Sequence, residues 1–203
     1  NVQEDSLKEG NIRNLKSIVL QPRFLQAITA AAFAYAVMSF LMTATPLSMH
    51  VMENMSLKET GLVLQFHVVA MFLPSLITGN LIKKYGHSAI IYGGVLFFFI
   101  TVLISLFEQT YLNYMLSLIF LGLGWNFLFI SGTSLVVLTY NKEEKFKVQG
   151  INDLIVFSTM ALASLSAGIL LNSIGWKMMN IICIPFLILI ILVSFVADKK
   201  SVS

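Results

Sequence analysis

The segment LGLGWNFLFISG, residues 121–132, places a tryptophan and an asparagine side by side in a long apolar run. The Trp125 indole offers a flat face and one hydrogen-bond donor, and the Asn126 amide offers two donors and an acceptor. Tyr35 and Thr159 lie at a similar depth in two other apolar runs. Polar groups are costly inside a hydrocarbon layer, so they either contact a ligand or bind a neighbouring helix. We predict that these four side chains contact a small organic solute that is not strongly anionic.

Two ionisable side chains also lie within apolar runs and are candidates for moving a proton. His67 could carry a proton near neutral pH, with a hydrogen-bonded packing role as the alternative. Asp153 is the only acidic residue well inside an apolar run. It lies about a turn and a half beyond the predicted start of its helix, where a carboxylate is electrostatically favoured. Helix capping and pairing at the helix end are therefore the alternative role for Asp153.

These candidate residues lie on six long apolar runs. The chain has 203 residues, of which 57% are hydrophobic and only 11% are charged, whereas soluble domains carry about 25% charged residues. Each run is long enough to cross the ~30 Å hydrocarbon core of a bilayer as a helix. None shows the two-residue alternation of a transmembrane barrel strand. We therefore predict an all-α integral membrane protein with spans one to six at residues 24–47, 61–82, 88–107, 112–139, 148–171 and 176–197.

The lysines and arginines indicate how these spans are oriented. Eleven of the 13 lie on the side that holds both termini, and only Lys58 and Lys177 lie on the other side. Because cytoplasmic loops are rich in basic residues, we predict cytoplasmic termini and a location in the cell (inner) membrane. Segments 1–23 and 199–203 are then a cytoplasmic linker and a cytoplasmic tail. The same distribution argues against a nucleic-acid-binding surface, although the formal net charge is +3.

Several function classes lack the residues that they need. Cys183 is the only cysteine, so the chain cannot form an intramolecular disulfide. The sequence has no metal-ligand spacing and no cofactor motif, and we predict neither a metal nor a cofactor. A rhomboid-type protease would pair Ser134 with a histidine in span six, but span six contains none, so we predict no catalytic residues and no enzyme activity. A six-helix channel and a membrane-anchored binding protein are two function classes that the sequence leaves open.

The chain repeats itself weakly at an offset of 89 residues, without a gap. This offset places LITGNLIKKYGH, residues 76–87, on LSAGILLNSIGW, residues 165–176, so that Gly86 matches Gly175. Each copy contains three spans, and an odd number means that the second copy crosses the membrane in the opposite sense. We therefore predict two inverted three-helix repeats, an architecture of secondary transporters. The predicted repeats cover residues 24–110 and 111–198.

The loop between spans two and three resembles a conserved loop of the major facilitator superfamily. The family pattern is Gly, three residues, Asp, Arg or Lys, any residue, Gly and a basic residue. Gly79, Lys84 and Gly86 match it, and His87 loosely fills the last position. Lys83 departs from the pattern, because the family has aspartate there. Since the C-terminal copy of this loop is usually the more degenerate one, the resemblance is to the C-terminal half of such a transporter.

The resemblance implies half of a twelve-helix secondary active transporter that moves a small organic solute by alternating access. Its partners would be an N-terminal six-helix half of the same parent chain and the lipid bilayer, and on family grounds the coupled ion would be a proton. Spans one, two, four and five would line the central cavity. The family uses a charge pair to latch one conformation, so we expect Lys84 to pair with Glu143 or Glu144. The chain begins with Asn1 rather than methionine, and we expect an upstream segment.

Overall fold

A computed structural model describes residues 13–202, and this part of the chain is built from helices and short connections. The predicted linker residues up to number 12, including Lys8, lie outside the described residues. Short helical turns at Leu47–Met52 and Lys142–Glu144 follow α2 and precede α7. The helices are α1 (Leu15–Val19), α2 (Pro22–Pro46), α3 (Leu57–Phe72), α4 (Ser75–Tyr85), α5 (His87–Ser105), α6 (Tyr111–Val137), α7 (Lys145–Ile182) and α8 (Ile184–Val202).

The apolar helices follow the predicted spans, which confirms an all-α membrane protein. Spans one, three and four correspond to α2, α5 and α6, and span two is divided into α3 and α4 at Leu73 and Pro74. Spans five and six form one helical segment of 59 residues, Lys142–Lys200. A straight helix of that length would measure about 88 Å, far more than the thickness of a bilayer. Gly175, whose backbone is not helical, divides this segment into two crossings.

Contacts at the two ends of the bundle indicate how the crossings alternate. At one end, Arg13 pairs with Glu144 where α7 begins, and the carboxyl end of α8 lies beside the start of α2. At the other end, the Tyr114 ring near the start of α6 lies 5.1 Å from the ring of Trp176. Because Trp176 directly follows Gly175, span five runs from the first end to the second and span six returns.

Helix α2 lies at the centre of the bundle and contacts α6, α7 and α8, while α5 packs on α6. Its segment AAAFAYA, residues 30–36, is rich in alanine, and small residues allow transmembrane helices to approach each other closely. A Cβ atom added at Gly132 of α6 would lie 2.7 Å from the Ala27 carbonyl oxygen and 2.9 Å from the Ala31 nitrogen. The backbones of α2 and α6 are therefore in direct contact.

Part of the predicted linker is helical and packs against the bundle. The Asn14 side chain accepts a hydrogen bond from the Lys16 backbone and begins α1, and Ile18 is buried. Burial of Ile18 and the ion pair of Arg13 with Glu144 hold this part of the linker in place. Pro22 occupies the first turn of α2, where its fixed φ suits a helix start.

The two glycines that the repeat aligns share one backbone conformation. Gly86 has φ 84° and ψ 161°, and Gly175 has φ 75° and ψ 169°. Only glycine readily adopts this region, since the Cβ of any other residue meets its own backbone. It is not the left-handed helical region that usually ends a helix. Each glycine instead turns the chain sharply from one span into the next.

Candidate functional site

Five aromatic rings from four spans form a group that we call the aromatic cluster: Tyr35, Phe72, Trp125, Phe129 and Phe157. The Tyr35 ring lies 5.2 Å from that of Trp125 and 4.9 Å from that of Phe129. It also lies 6.0 Å from the Phe157 ring. Trp125 stacks on Phe129 at 5.0 Å and lies 5.8 Å from Phe72. The rings belong to spans one, two, four and five, the spans that the family resemblance implies as cavity lining.

The aromatic cluster contains one buried ring and two exposed rings. Trp125 is only 4% exposed, whereas Phe72 and Phe157 are 58% and 49% exposed. Tyr35 and Phe129 are half-buried. Stacked and edge-to-face rings attract each other through their quadrupoles, and a further flat ring would gain similar contacts. The arrangement can therefore bind a flat aromatic solute.

Two glycines of α6 bring its aromatic residues against the neighbouring spans. A Cβ atom at Gly122 would lie 2.7 Å from the carbonyl oxygen of His67 in α3. Gly132 makes the corresponding close contact with α2. Trp125 and Phe129 lie between these two glycines; Trp125 contacts Tyr35 of α2 and Phe72 of α3, and Phe129 contacts Tyr35. A larger side chain at either glycine would separate the rings of the aromatic cluster.

Asn126 is fully buried beside the aromatic cluster and contacts span two rather than open space. Its amide nitrogen donates to the Met71 carbonyl oxygen at 2.6 Å and to the Ser75 hydroxyl at 2.7 Å. Its carbonyl oxygen accepts a hydrogen bond from the Thr78 hydroxyl at 2.6 Å. Of the two roles that the sequence allowed for Asn126, the structure therefore shows hydrogen bonding between helices.

Thr159 lies apart from the aromatic cluster. It is two residues from Phe157, which corresponds to about 200° around a helix, so the two side chains face different directions. Thr159 donates to the Ile155 carbonyl oxygen of its own helix at 2.6 Å. It lines an apolar cavity of about 290 Å³ between α2, α7 and α8, together with Cys183. The structure thus brings Tyr35, Trp125 and Asn126 together but not Thr159.

His67 is buried at the contact between α3 and α6. Its Nδ1 atom lies 2.7 Å from the Leu118 carbonyl oxygen, and because a carbonyl only accepts, Nδ1 carries the hydrogen. In the neutral ring, Nε2 then holds a lone pair, and within residues 13–202 it has no hydrogen-bond partner. The packing role that the sequence allowed for His67 is the one seen in this conformation.

Asp153 lies deeper in its helix than the sequence suggested. Helix α7 begins at Lys145, so Asp153 lies more than two turns inside it, beyond the first turn where the helix dipole favours a carboxylate. A capping box of Asn141 and Glu144 begins the short turn Lys142–Glu144 that precedes α7. Asp153 is exposed and accepts a hydrogen bond from the Asn152 amide at 3.0 Å. Asp153 therefore does not cap α7, which was one part of its alternative role.

The carboxylate expected to pair with Lys84 binds a different cation. Glu144 accepts hydrogen bonds from the Arg13 guanidinium at 2.7 and 2.9 Å and from the Arg13 backbone at 2.9 Å. This pairing raises the pKa of Arg13. The Lys84 ammonium lies 4.9 Å from the centre of the Tyr85 ring. A forked guanidinium binds a carboxylate at two points, which favours Arg13 over a lysine. Glu143 is exposed beside this pair.

The sequence did not reveal a polar network that joins α2, α5 and α8. This network lies at the end of the bundle that also holds the Arg13–Glu144 pair. The Asp198 carboxylate accepts hydrogen bonds from Arg23 at 2.8 Å, from Ser88 at 2.6 Å and from Tyr92 at 3.2 Å. Arg23 also donates to Gln26 at 2.7 Å, and Gln26 donates to Ser88 at 2.9 Å. Ser88 and Tyr92 are four residues apart and so lie on one helix face, which is the only local sequence pattern that points to this network.

Comparisons with known proteins agree on one family. The family model described as Major Facilitator Superfamily matches residues 15–203. "Riboflavin transporter RfnT" of Brucella anthropi is 40% identical over 179 residues, 88% of this chain and 45% of that protein. "Uncharacterized MFS-type transporter YdeG" of Bacillus subtilis is 31% identical over 156 residues, 76% of this chain and 36% of that protein. The chain spans less than half the length of these relatives.

Proposed function

Because the chain belongs to the Major Facilitator Superfamily, we propose that it is the C-terminal half of a secondary active transporter for a small, flat aromatic solute. The aromatic cluster is the observation that carries this proposal. A relative that shares 40% of the aligned residues is named a riboflavin transporter, and the ring system of riboflavin is flat and aromatic. Riboflavin or a solute of similar shape is therefore the substrate that we propose.

The proposed transporter works by alternating access between two six-helix halves. The exposed rings of Phe72 and Phe157 would face the cavity that the N-terminal half closes. The shared conformation of Gly86 and Gly175 supports two inverted repeats within this half. The excess of lysine and arginine on one side supports cytoplasmic termini in the inner membrane. Gly79, Lys83, Lys84 and Gly86 would form the conformational loop on that side, with Glu143 as part of the gate.

A test of the solute site removes, in separate variants, one ring inside the aromatic cluster and one ring outside it. We expect Phe157→Ala in the whole transporter to raise the KM for riboflavin uptake about tenfold, because one stacking face is lost. Phe186→Ala is the matched control, since this ring is also part-exposed but packs on Phe33 at 5.1 Å, away from the aromatic cluster. Equal KM values for the two variants would contradict the proposed site.

Proton coupling is proposed to use Asp153 rather than His67. Asp153 is four residues before Phe157, so both side chains lie on one face of α7. Asp153 is exposed and could exchange a proton with the central cavity between the two halves. A proton on the buried Nε2 of His67, in contrast, would have no acceptor among the described residues.

We expect Asp153→Asn to abolish uptake driven by an imposed proton gradient, because an amide cannot release a proton. Exchange of labelled for unlabelled riboflavin should continue, since it needs no net proton movement. Both can be measured in vesicles containing the whole transporter. Glu108→Gln serves as the control, because Glu108 lies in the loop between α5 and α6. Gradient-driven uptake that survives Asp153→Asn would show that the proton uses another group.

A further inference from the structure

Span two is interrupted next to the aromatic cluster. Pro74 has no backbone N–H, so the helical ladder is broken between α3 and α4. The chain tightens there, with the Ile77 amide donating to the Pro74 carbonyl oxygen at 2.9 Å. Such interruptions need partners for the freed backbone groups within a membrane. Without a further support, the angle between α3 and α4 would be poorly fixed.

Asn126 holds both sides of this interruption. Its contact with the Met71 carbonyl oxygen is on the α3 side, and its contacts with Ser75 and Thr78 are on the α4 side. All three distances lie between 2.6 and 2.7 Å, and the side chain is fully buried. A primary amide has the two donors and the acceptor that this set of partners needs. One side chain of α6 thus joins α3 to α4 across the interruption.

This interruption adjoins an exposed ring of the aromatic cluster, that of Phe72. Phe72 directly follows Met71, and Trp125 directly precedes Asn126. The hydrogen bond between Asn126 and Met71 therefore adjoins the two rings, which lie 5.8 Å apart. We propose that Asn126 is a positioning residue for the solute: it fixes α4 relative to α3 and thereby the gap between Phe72 and Trp125. This inference rests on the proposed function of the aromatic cluster.

The test separates positioning from general stability by comparing KM with maximal rate. In the whole transporter, Asn126→Leu should raise the KM for riboflavin at least about fivefold, with the maximal rate per folded molecule within about twofold. Thr78→Val removes one partner without changing shape and should raise KM about twofold to threefold. Asn180→Leu is the control, since Asn180 is equally buried but donates to Trp176 in its own helix. It should leave KM unchanged.

A second measurement does not depend on the solute. Nitroxide labels at Phe66→Cys in α3 and Leu76→Cys in α4 lie on exposed positions across the interruption. Their distance distribution should be narrow in the parent and in Asn180→Leu, and broad in Asn126→Leu and in Thr78→Val.

The outcomes distinguish this inference from the proposed function. If KM responds to Phe157→Ala but not to Asn126→Leu or Thr78→Val, the positioning role is wrong and the solute site stands. If KM responds to none of them, the proposed solute site is wrong, and the label distances decide whether Asn126 fixes α4 relative to α3. A distribution that stays narrow in both variants overturns the inference.

Discussion

Gly94→Ala is expected to destabilise the bundle, whereas the same change at the neighbouring Gly93 is not. A Cβ at Gly94 would lie 2.7 Å from the Leu128 side chain, 3.0 Å from the Gly124 carbonyl oxygen and 3.1 Å from the Leu128 backbone nitrogen. Backbone atoms of a packed helix cannot move aside locally, so α5 and α6 must separate. Overpacking of this kind costs about 1–3 kcal/mol.

The Gly93 variant is a control on the same helix. A Cβ there would lie 3.4 Å from the Phe127 ring, an ordinary contact distance, and alanine favours a helix over glycine by about 1 kcal/mol. The melting temperature of the detergent-solubilised protein should therefore fall by several degrees for Gly94→Ala and stay the same or rise for Gly93→Ala. Equal melting temperatures would mean that α5 and α6 are not in backbone contact.

Reversing one charge of the Arg23 and Asp198 pair is expected to have the second large effect. Arg23→Asp would place two carboxylates at the site where the guanidinium now lies 2.8 Å from Asp198. Both side chains are about one-third exposed, so solvent weakens the repulsion. We expect a loss of about 1–3 kcal/mol, because Ser88 and Tyr92 also depend on this carboxylate.

The double exchange provides the test. Arg23→Asp combined with Asp198→Arg restores opposite charges and should recover part of the lost melting temperature, whereas each single change should lower it. The interaction energy follows from the double-mutant cycle. Strictly additive effects would mean that the two residues do not stabilise the contact between α2 and α8.

Much of the fold is predictable because it depends on local composition. Long apolar runs predict the spans, and the start of α2 at Pro22 follows from the fixed φ of proline. The interruption at Pro74 has the same origin, since proline lacks a backbone donor. The repeat predicted related turns at Gly86 and Gly175, although their φ/ψ region differs from an ordinary helix cap.

The candidate site was less predictable, because it depends on which helix faces which. Polarity and depth make Asn126 and Thr159 equally good candidates for the solute site. Asn126, however, hydrogen-bonds to span two, and Thr159 lines a separate cavity. Glu144 is 131 residues from Arg13, and no local pattern links them. Phe72 and Phe157 resemble any other phenylalanine of the apolar runs. Their role in the aromatic cluster emerges only when four spans are packed together.

The cavity between α2, α7 and α8 has a practical consequence for chemistry on this protein. Its wall contains Cys183, which is the only thiol of the chain and is buried. A maleimide added to the folded protein has little access to it, so this chain has a low labelling background of its own. Engineered cysteines on exposed faces can therefore be followed with the native thiol left in place. Labelling of Cys183 itself would report a separation of spans five and six.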